Sequence, residues 1–326
     1  MYRTAFFWQN TIIQTFPRGA FPLNKLKGEI FLGYRTDLAM EAAQALTGSL
    51  PRGVAQRERR LGKLQIHTVE VTEEEGVKAL GKPRGTYVTV TAPPLYSASG
   101  FEEEEITAVA QEIAAMLPPE GLVLVVGLGN NDITPDAIGP RAVHQVLATR
   151  HISGELAEAS GLGSLRAAAA VAPGVLGQTG IETSEIVRAI ADDIHPAAII
   201  VIDALAARST SRLGTTIQIA SSGISPGSGV MNKRKELSRE TLGVPVVSVG
   251  IPTVVDAATL AGDLLPGTPE EAEACKDLFQ PEGRSMMITP REIDVLVGHA
   301  SKVIALSINK ALHKDLSLED ISYLTS

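Results

Sequence analysis

Cysteine is nearly absent from this chain, since Cys275 is the single one in 326 residues. One thiol cannot form a disulfide within the chain, so the sequence indicates a reducing, cytosol-like compartment. A zinc site built from several thiolates is excluded for the same reason. The six histidines are scattered, and no two have the H-x-x-x-H spacing of a helical metal site. No metal or other cofactor is therefore predicted.

Excess basic charge and long apolar runs are also lacking. There are 29 Lys and Arg against 37 Asp and Glu, which gives a net charge of -8 and argues against a nucleic-acid-binding surface across the whole protein. No unbroken apolar run reaches the roughly 18 residues of a membrane-spanning helix, so no membrane span is expected. Polar residues interrupt the apolar N-terminus at Gln9, Asn10 and Gln14, which argues against a signal peptide.

Aromatic residues make up 4% of the chain and are unevenly placed. The first 31 residues contain the single tryptophan, Trp8. They also contain most of the phenylalanines, namely Phe6, Phe7, Phe16, Phe21 and Phe31. This shift in composition predicts a leader outside the main core. From composition alone, a docking arm or an over-extended start is about as expected as a removable pro-segment.

The rest of the chain has the pattern of an α/β protein. Near-continuous apolar runs at 122–127, 197–204 and 245–250 are typical of parallel strands buried on both faces. Alternating segments predict an antiparallel pair at 63–71 and 86–92, and a shorter strand near an edge at 215–219. Helices are predicted at 101–117, 181–194 and from a capping box at Thr289 onward. This order predicts a twisted mixed β-sheet with helices on both faces.

Two aspartates stand at the carboxyl ends of predicted buried strands, where ligands bind in open α/β sheets. Asp203 closes "AIIVID", and Asp136 lies in the loop after "LVLVVG". The alternative for Asp136 is a carboxylate in the first turn of a helix, although Gly139-Pro140 favours a helix that begins at Pro140. The alternative for Asp203 is a helix cap or an ion pair with Arg208. From the residues alone, each alternative is about as expected as a catalytic role.

Two glycine-rich segments resemble nucleotide motifs only in part. In "GLGNND" an aspartate, Asp132, stands where the dinucleotide fingerprint has its third glycine. "GISPGSGVMNKRK" lacks the G-K-[ST] of a P-loop, and its basic residues are more commonly a solvated face. Carboxylate chemistry remains as a hypothesis, in which two aspartates share one proton and act as base and acid toward water.

Several segments together resemble the germination protease of endospore-forming bacteria. They are "YRTDLAMEA", "GLGNNDITPDAIGPRAV", "APGVLGQTGIET", "VIDALAARS" and the long "TTIQIASSGISPGSGVMNKRKELSRETLGVPVVSVGIPTVVDA". The resemblance implies an endopeptidase that degrades small acid-soluble spore proteins during germination, in the cytoplasm of the forespore or spore core. It implies an α/β sandwich of the phosphorylase and hydrogenase-maturation-peptidase kind. It also implies a zymogen that assembles as a homo-oligomer, expected to be a tetramer.

The family is regarded as an atypical aspartic peptidase, and its two essential aspartates fall on Asp136 and Asp203. Its self-processing site falls between Asp37 and Leu38, which implies a pro-segment at 1–37 and a single α/β peptidase domain at 38–326. "RTD/LAME" is similar to the T-E/[FI]-A-S-E site of the spore proteins. The alternative is that Thr36 and Asp37 only cap the helix "LAMEAAQAL".

Further roles are predicted for the glycine-rich loops. Backbone N–H groups near Gly129 and Asn130, or near Gly227 and Gly229, are candidates to bind the oxyanion of the reaction. Lys233 and Arg234 are candidates to attract acidic recognition residues. A metal-dependent peptidase, similar to the nickel-reading maturation peptidases, and an inactive binding or scaffold relative are the competing hypotheses.

Overall fold

The computed structural model describes residues 36–46, 49–96, 101–152, 165–225, 235–257, 259–260 and 286–325. The predictions for the leader before residue 36 and for Gly227, Gly229, Lys233 and Arg234 lie outside these residues. The division of the chain at residue 37 therefore stays a prediction.

Nine strands of the described residues form one mixed sheet. They are β1 (Val54–Leu61), β2 (Leu64–Val71), β3 (Gly85–Thr91), β4 (Val123–Gly127), β5 (Ala168–Val171), β6 (Ala198–Ala207), β7 (Thr216–Ala220), β8 (Val246–Asp256) and β9 (Met287–Ile288). Their order across the sheet is β1-β2-β3-β7-β8-β6-β4-β5, and β9 pairs with β8. Strands β8, β6, β4 and β5 run parallel, whereas β1, β2, β3 and β7 form an antiparallel half that joins β8.

Helices cover both faces of this sheet. They are α1 (Ala39–Gln44), α2 (Glu74–Leu80), α3 (Glu103–Ala115), α4 (Ile138–Val143), α5 (Leu176–Thr179), α6 (Thr183–Ile194), α7 (Arg239–Leu242), α8 (Ile293–Leu312) and α9 (Leu318–Leu324), with 3-10 turns at Thr134–Asp136 and Thr210–Arg212. Helices α3, α4 and α8 pack on the face that includes Ile200 and Ile202. Helix α6 packs on the opposite face, against Ile199 and Val201. The predicted mixed α/β sheet with helices on both faces is confirmed.

The short strand β7 does not lie near an edge, as its length had suggested. All five of its residues are buried, and it is paired on both sides, with β3 and with β8. The strands at the two ends of the order are β1 and β5, and β1 was not predicted from the sequence. Most of β1 is exposed, and its Arg-Glu-Arg-Arg run conceals a strand pattern while it discourages pairing with another chain.

Two helices begin at residues other than those predicted. Helix α4 begins at Ile138 and not at Pro140, because the residue before the proline is Gly139, which has no Cβ to clash with the proline ring. Helix α8 begins at Ile293, because the Thr289 hydroxyl donates to the Thr253 carbonyl at 2.9 Å and does not cap the helix. Helix α8 is long and apolar enough to cross a membrane, but 61% of that window is buried, as in the core helix of a globular protein.

Candidate active site

Strand β4 ends one residue before the position of Asp203 on its neighbour β6. In the parallel pairing, Gly127 stands opposite Ile202, and the next N–H, that of Leu128, donates to the Ile202 carbonyl at 2.8 Å. Strand β6 does not end at Asp203 as predicted, because it continues to Ala207. Asp203 is nevertheless the first residue of β6 beyond the end of β4. The loop that follows β4 therefore leaves the sheet beside Asp203.

Asp136 is held in that loop by contacts that require glycine. The Asn130 N–H donates to Asp136 Oδ2 at 2.7 Å, and Asp136 ends the 3-10 turn whose Cα atoms approach those of β6 within 8 Å. Gly129 has φ +116°, and a Cβ there would lie 1.9 Å from the Asp136 carbonyl oxygen. A Cβ on Gly139 would lie 2.7 Å from the Ile202 carbonyl oxygen. Because neither glycine has a Cβ, the loop can lie in close contact with β6.

The side chain of Asp203 projects from the sheet face opposite α8. Its sequence neighbour Ile202 belongs to the core beneath α3, α4 and α8, and successive side chains of a strand alternate between faces. Asp203 is only 7% exposed, and its carboxylate accepts a hydrogen bond from the Ala204 N–H at 2.9 Å. The two predicted aspartates thus flank the same end of β4, one within a strand and one in a loop.

Asp37 and Leu38 lie on β6 as an extended segment. The Asp37 N–H donates to the Ala206 carbonyl, and the Ala206 N–H donates to Asp37 Oδ2, both at 2.8 Å. The Asp37 carbonyl oxygen accepts from Gln218 Nε2 at 2.9 Å. Leu38 is fully buried against an apolar group that includes Leu205. Helix α1 begins at Ala39 without a side-chain cap, so the interpretation of Asp37 as a helix cap is wrong, because its carboxylate binds β6 instead.

Two charged residues, Glu41 and Lys82, fix this segment. Glu41 is buried, and its carboxylate accepts from the Thr36 hydroxyl and from the backbone N–H groups of Arg208 and Ser209, the latter two at 2.8 and 3.1 Å. Lys82 Nζ donates to the Thr36 carbonyl at 2.9 Å. Burial of the ammonium group lowers the pKa of Lys82, although the charges of Asp37 and Glu41 oppose that shift. The acid of "LAME", Glu41, belongs to the segment compared with the spore-protein site, whereas no sequence pattern singles out Lys82.

A cavity of about 340 Å³ adjoins the segment. Its lining includes Asp37, Lys82, Tyr87, Gln218 and Gly250. Burial raises the pKa of the Tyr87 phenol to about 12, so this hydroxyl stays neutral and donates to the Pro83 carbonyl at 2.6 Å. The cavity therefore borders Asp37 and the Gln218 side chain that binds its carbonyl oxygen.

The remaining predictions concern Asp132 and a metal site. Asp132 is exposed, and its carboxylate accepts from Gln178 Nε2 at 3.0 Å, as expected of a loop residue. Within the described ranges, no group of three or more His, Cys, Asp or Glu side chains is arranged to hold a metal ion.

Comparisons with known proteins identify the family. The germination protease family model matches residues 36–267 and 262–325. A germination protease of Caldanaerobacter subterraneus subsp. tengcongensis is 40% identical over 321 residues, which cover 90% of this chain and 99% of the relative. That of Bacillus subtilis is 37% identical and covers 88% of this chain and 95% of the relative. A hydrogenase maturation protease from Thermococcus kodakarensis matches in structure with a TM-score of 0.33 and 14% identity, over 60% of this chain and 98% of its own, a likeness too weak for any argument. The extent of the sequence matches shows that this chain is a peptidase and belongs to the germination protease family.

Proposed function

We propose that this peptidase is an endopeptidase of an atypical aspartic type, in which Asp136 and Asp203 activate water and which cuts its own chain between Asp37 and Leu38. One observation supports this above the others. The Asp37–Leu38 peptide bond lies on β6, and its carbonyl oxygen accepts from Gln218, which is in cross-strand register with Asp203 through Gly250. The bond to be cut and one of the two carboxylates therefore share one face of the sheet.

The chemistry needs the two carboxylates to hold one proton between them. The ionised carboxylate takes a proton from water while the water oxygen bonds to the Asp37 carbonyl carbon. The protonated carboxylate gives its proton to the nitrogen of Leu38 as the carbon–nitrogen bond breaks. The products are a new C-terminal carboxylate on Asp37 and a new N-terminal amine on Leu38.

The contacts of the segment also support small acid-soluble spore proteins as substrates. Their T-E/[FI]-A-S-E site has an acid, an aliphatic or aromatic residue, an alanine and a second acid at the positions of Asp37, Leu38, Ala39 and Glu41. In this chain the first acid accepts from the Ala206 N–H and the second from two backbone N–H groups, while Leu38 and Ala39 are fully buried. The role in acid recognition predicted for Lys233 and Arg234, which lie outside the described residues, stays a prediction beside these backbone donors.

The decisive experiment is to incubate the purified full-length chain and to follow the appearance of a new N-terminus at Leu38 by mass spectrometry. We expect Asp136→Asn and Asp203→Asn each to slow this cleavage by about 10²–10⁴-fold, the usual contribution of an acid or base group. Asp132→Asn, a loop carboxylate outside the proposed site, serves as the matched control and keeps the wild-type rate. Cleavage by Asp203→Asn at the wild-type rate would contradict the two-aspartate mechanism.

Two further measurements address the competing hypotheses and the setting of the enzyme. Exhaustive chelation leaves the rate unchanged under this proposal and abolishes it for a metal-dependent peptidase. The proposed cellular site is the cytoplasm of the forespore and spore core, and the proposed assembly is a homotetramer. Light scattering of the purified chain during size-exclusion chromatography measures its mass, and a monomeric mass would contradict the tetramer.

A further inference from the structure

We propose that Gln218 holds the carbonyl oxygen of the bond that is cut and stabilises the negative charge that forms on it. This inference rests on the proposed cleavage between Asp37 and Leu38. No sequence motif marked Gln218, which lies within the buried strand β7 and is itself only 7% exposed.

The strand register places Gln218 of β7 in the same cross-strand row as Asp203 of β6. Gly250 of β8 stands opposite Asp203 on one side and opposite Gln218 on the other. Paired residues share a face of the sheet, and adjacent strands lie about 4.8 Å apart, so the Cα atoms of Asp203 and Gln218 are about 10 Å apart. Gly250 has no side chain, and the side chain of Leu205, which packs with Leu38, lies where a Cβ of Gly250 would be.

Both the nitrogen and the oxygen of the Gln218 side-chain amide bind the backbone of the segment that carries Asp37. Gln218 Nε2 donates to the Asp37 carbonyl oxygen at 2.9 Å, and Gln218 Oε1 accepts from the Ala39 N–H at 2.7 Å. The second bond needs an oxygen toward Ala39, so it fixes the nitrogen toward the Asp37 carbonyl. Gln218 thus binds the backbone on both sides of Leu38 and holds the carbonyl that water attacks.

The placement suits the charge that develops in the reaction. When water adds to the Asp37 carbonyl carbon, its oxygen becomes negative, and a donor already in place stabilises that charge most strongly where water is excluded. The glycine-rich loop after β4 is less suited to this role than predicted. Its Asn130 N–H already donates to Asp136 Oδ2 at 2.7 Å, and so it orients a carboxylate.

The test compares Gln218→Glu and Gln218→Met in the full-length chain. Glutamate keeps an oxygen that accepts from the Ala39 N–H but loses the donor toward the carbonyl, whereas methionine loses both. The first-order rate of appearance of Leu38 is measured together with hydrogen exchange of the Ala39 amide, which reports whether the segment stays bound. Gln65→Glu makes the same chemical change at an exposed position of β2 and serves as the control.

We expect Gln218→Glu to cleave roughly 10²–10³-fold more slowly with the Ala39 amide still protected, Gln218→Met to be slow as well, and Gln65→Glu to match the wild type. Near-normal cleavage by Gln218→Glu overturns the inference. Slow cleavage overturns it too if the Ala39 amide has lost its protection.

Asp203→Asn is measured in parallel. If Asp203→Asn is inactive and Gln218→Glu is normal, Gln218 is only an anchor and the proposed function stands. If Asp203→Asn is normal and Gln218→Glu is slow with its amide protected, the role of Gln218 holds and the two-aspartate mechanism fails.

Discussion

Gly250 stands directly opposite Asp203 in the parallel pairing of β6 and β8, and opposite Gln218 in the antiparallel pairing of β8 and β7. A Cβ on Gly250 would lie 2.6 Å from Leu205 Cγ and 2.8 Å from the Asp203 carbonyl oxygen. The glycine therefore leaves space for Leu205, which packs with Leu38 of the segment that carries Asp37.

The first prediction concerns Gly250→Ala. Because the new methyl group meets backbone and the branch point of a leucine, we expect the free energy of unfolding to fall by about 1–3 kcal/mol and self-cleavage to be lost. Urea denaturation and the appearance of Leu38 measure the two effects. Gly177→Ala, whose added Cβ in helix α5 meets nothing within 4 Å, should not lower the free energy of unfolding. Unchanged stability in Gly250→Ala would show that the strands shift apart easily.

The second prediction concerns Gly129→Ala, which acts on Asp136. Alanine at φ +116° is strained, and its Cβ would lie 1.9 Å from the Asp136 carbonyl oxygen, so the carboxylate must move. We expect self-cleavage to fall by about as much as in Asp136→Asn, with a loss of about 1–3 kcal/mol in the free energy of unfolding.

The control for this prediction is Gly298→Ala in helix α8, where nothing lies within 4 Å of the added Cβ. Alanine is the better helix former, so this variant should be more stable by about 0.5–1 kcal/mol and cleave normally. Cleavage by Gly129→Ala at the wild-type rate would mean that the observed position of the Asp136 carboxylate is not required for the reaction.

The sequence was sufficient to predict the centre of the fold and to single out both aspartates, whose catalytic role stays a proposal, for a physical reason. Strands β4, β6 and β8 are buried on both faces, so their apolar runs are visible locally, and a carboxylate next to such a run is conspicuous. The role of Gln218 was not predictable, since it depends on cross-strand register among β6, β8 and β7, which no local pattern contains. Lys82 was missed for a similar reason, because its partner Thr36 is distant in sequence.

The third prediction concerns Glu41, whose buried carboxylate satisfies the backbone N–H groups of Arg208 and Ser209. Glu41→Ala leaves both partly buried donors without that acceptor, so we expect the free energy of unfolding to fall by about 1–3 kcal/mol. Glu75→Ala removes an exposed glutamate of helix α2 and should cost no more than about 0.5 kcal/mol. Equal unfolding curves for the two variants would contradict a structural role for Glu41.

The last prediction concerns the pH dependence that Lys82 gives to stability. Burial lowers the pKa of Lys82 below its ordinary 10.5, and the charges of Asp37 and Glu41 only partly oppose that shift. Below the folded-state pKa, both the folded and the unfolded chain carry the proton, and the full penalty of burying the ammonium group is present. Between the folded-state pKa and 10.5, the unfolded chain binds the proton and the folded chain does not. Stability contributed by this group therefore rises with pH in that interval.

We expect the wild type to gain stability relative to Lys82→Met as the pH is raised from neutral to about 10, with urea denaturation at each pH as the measurement. Lys78→Met, which removes an exposed lysine of helix α2, should show no such difference from the wild type. The series stops near pH 10, because the pKa of Tyr87 is raised to about 12 and stability then falls as the unfolded tyrosine ionises. Parallel pH profiles for the wild type and Lys82→Met would show that the Lys82 ammonium group is hydrated in the folded chain.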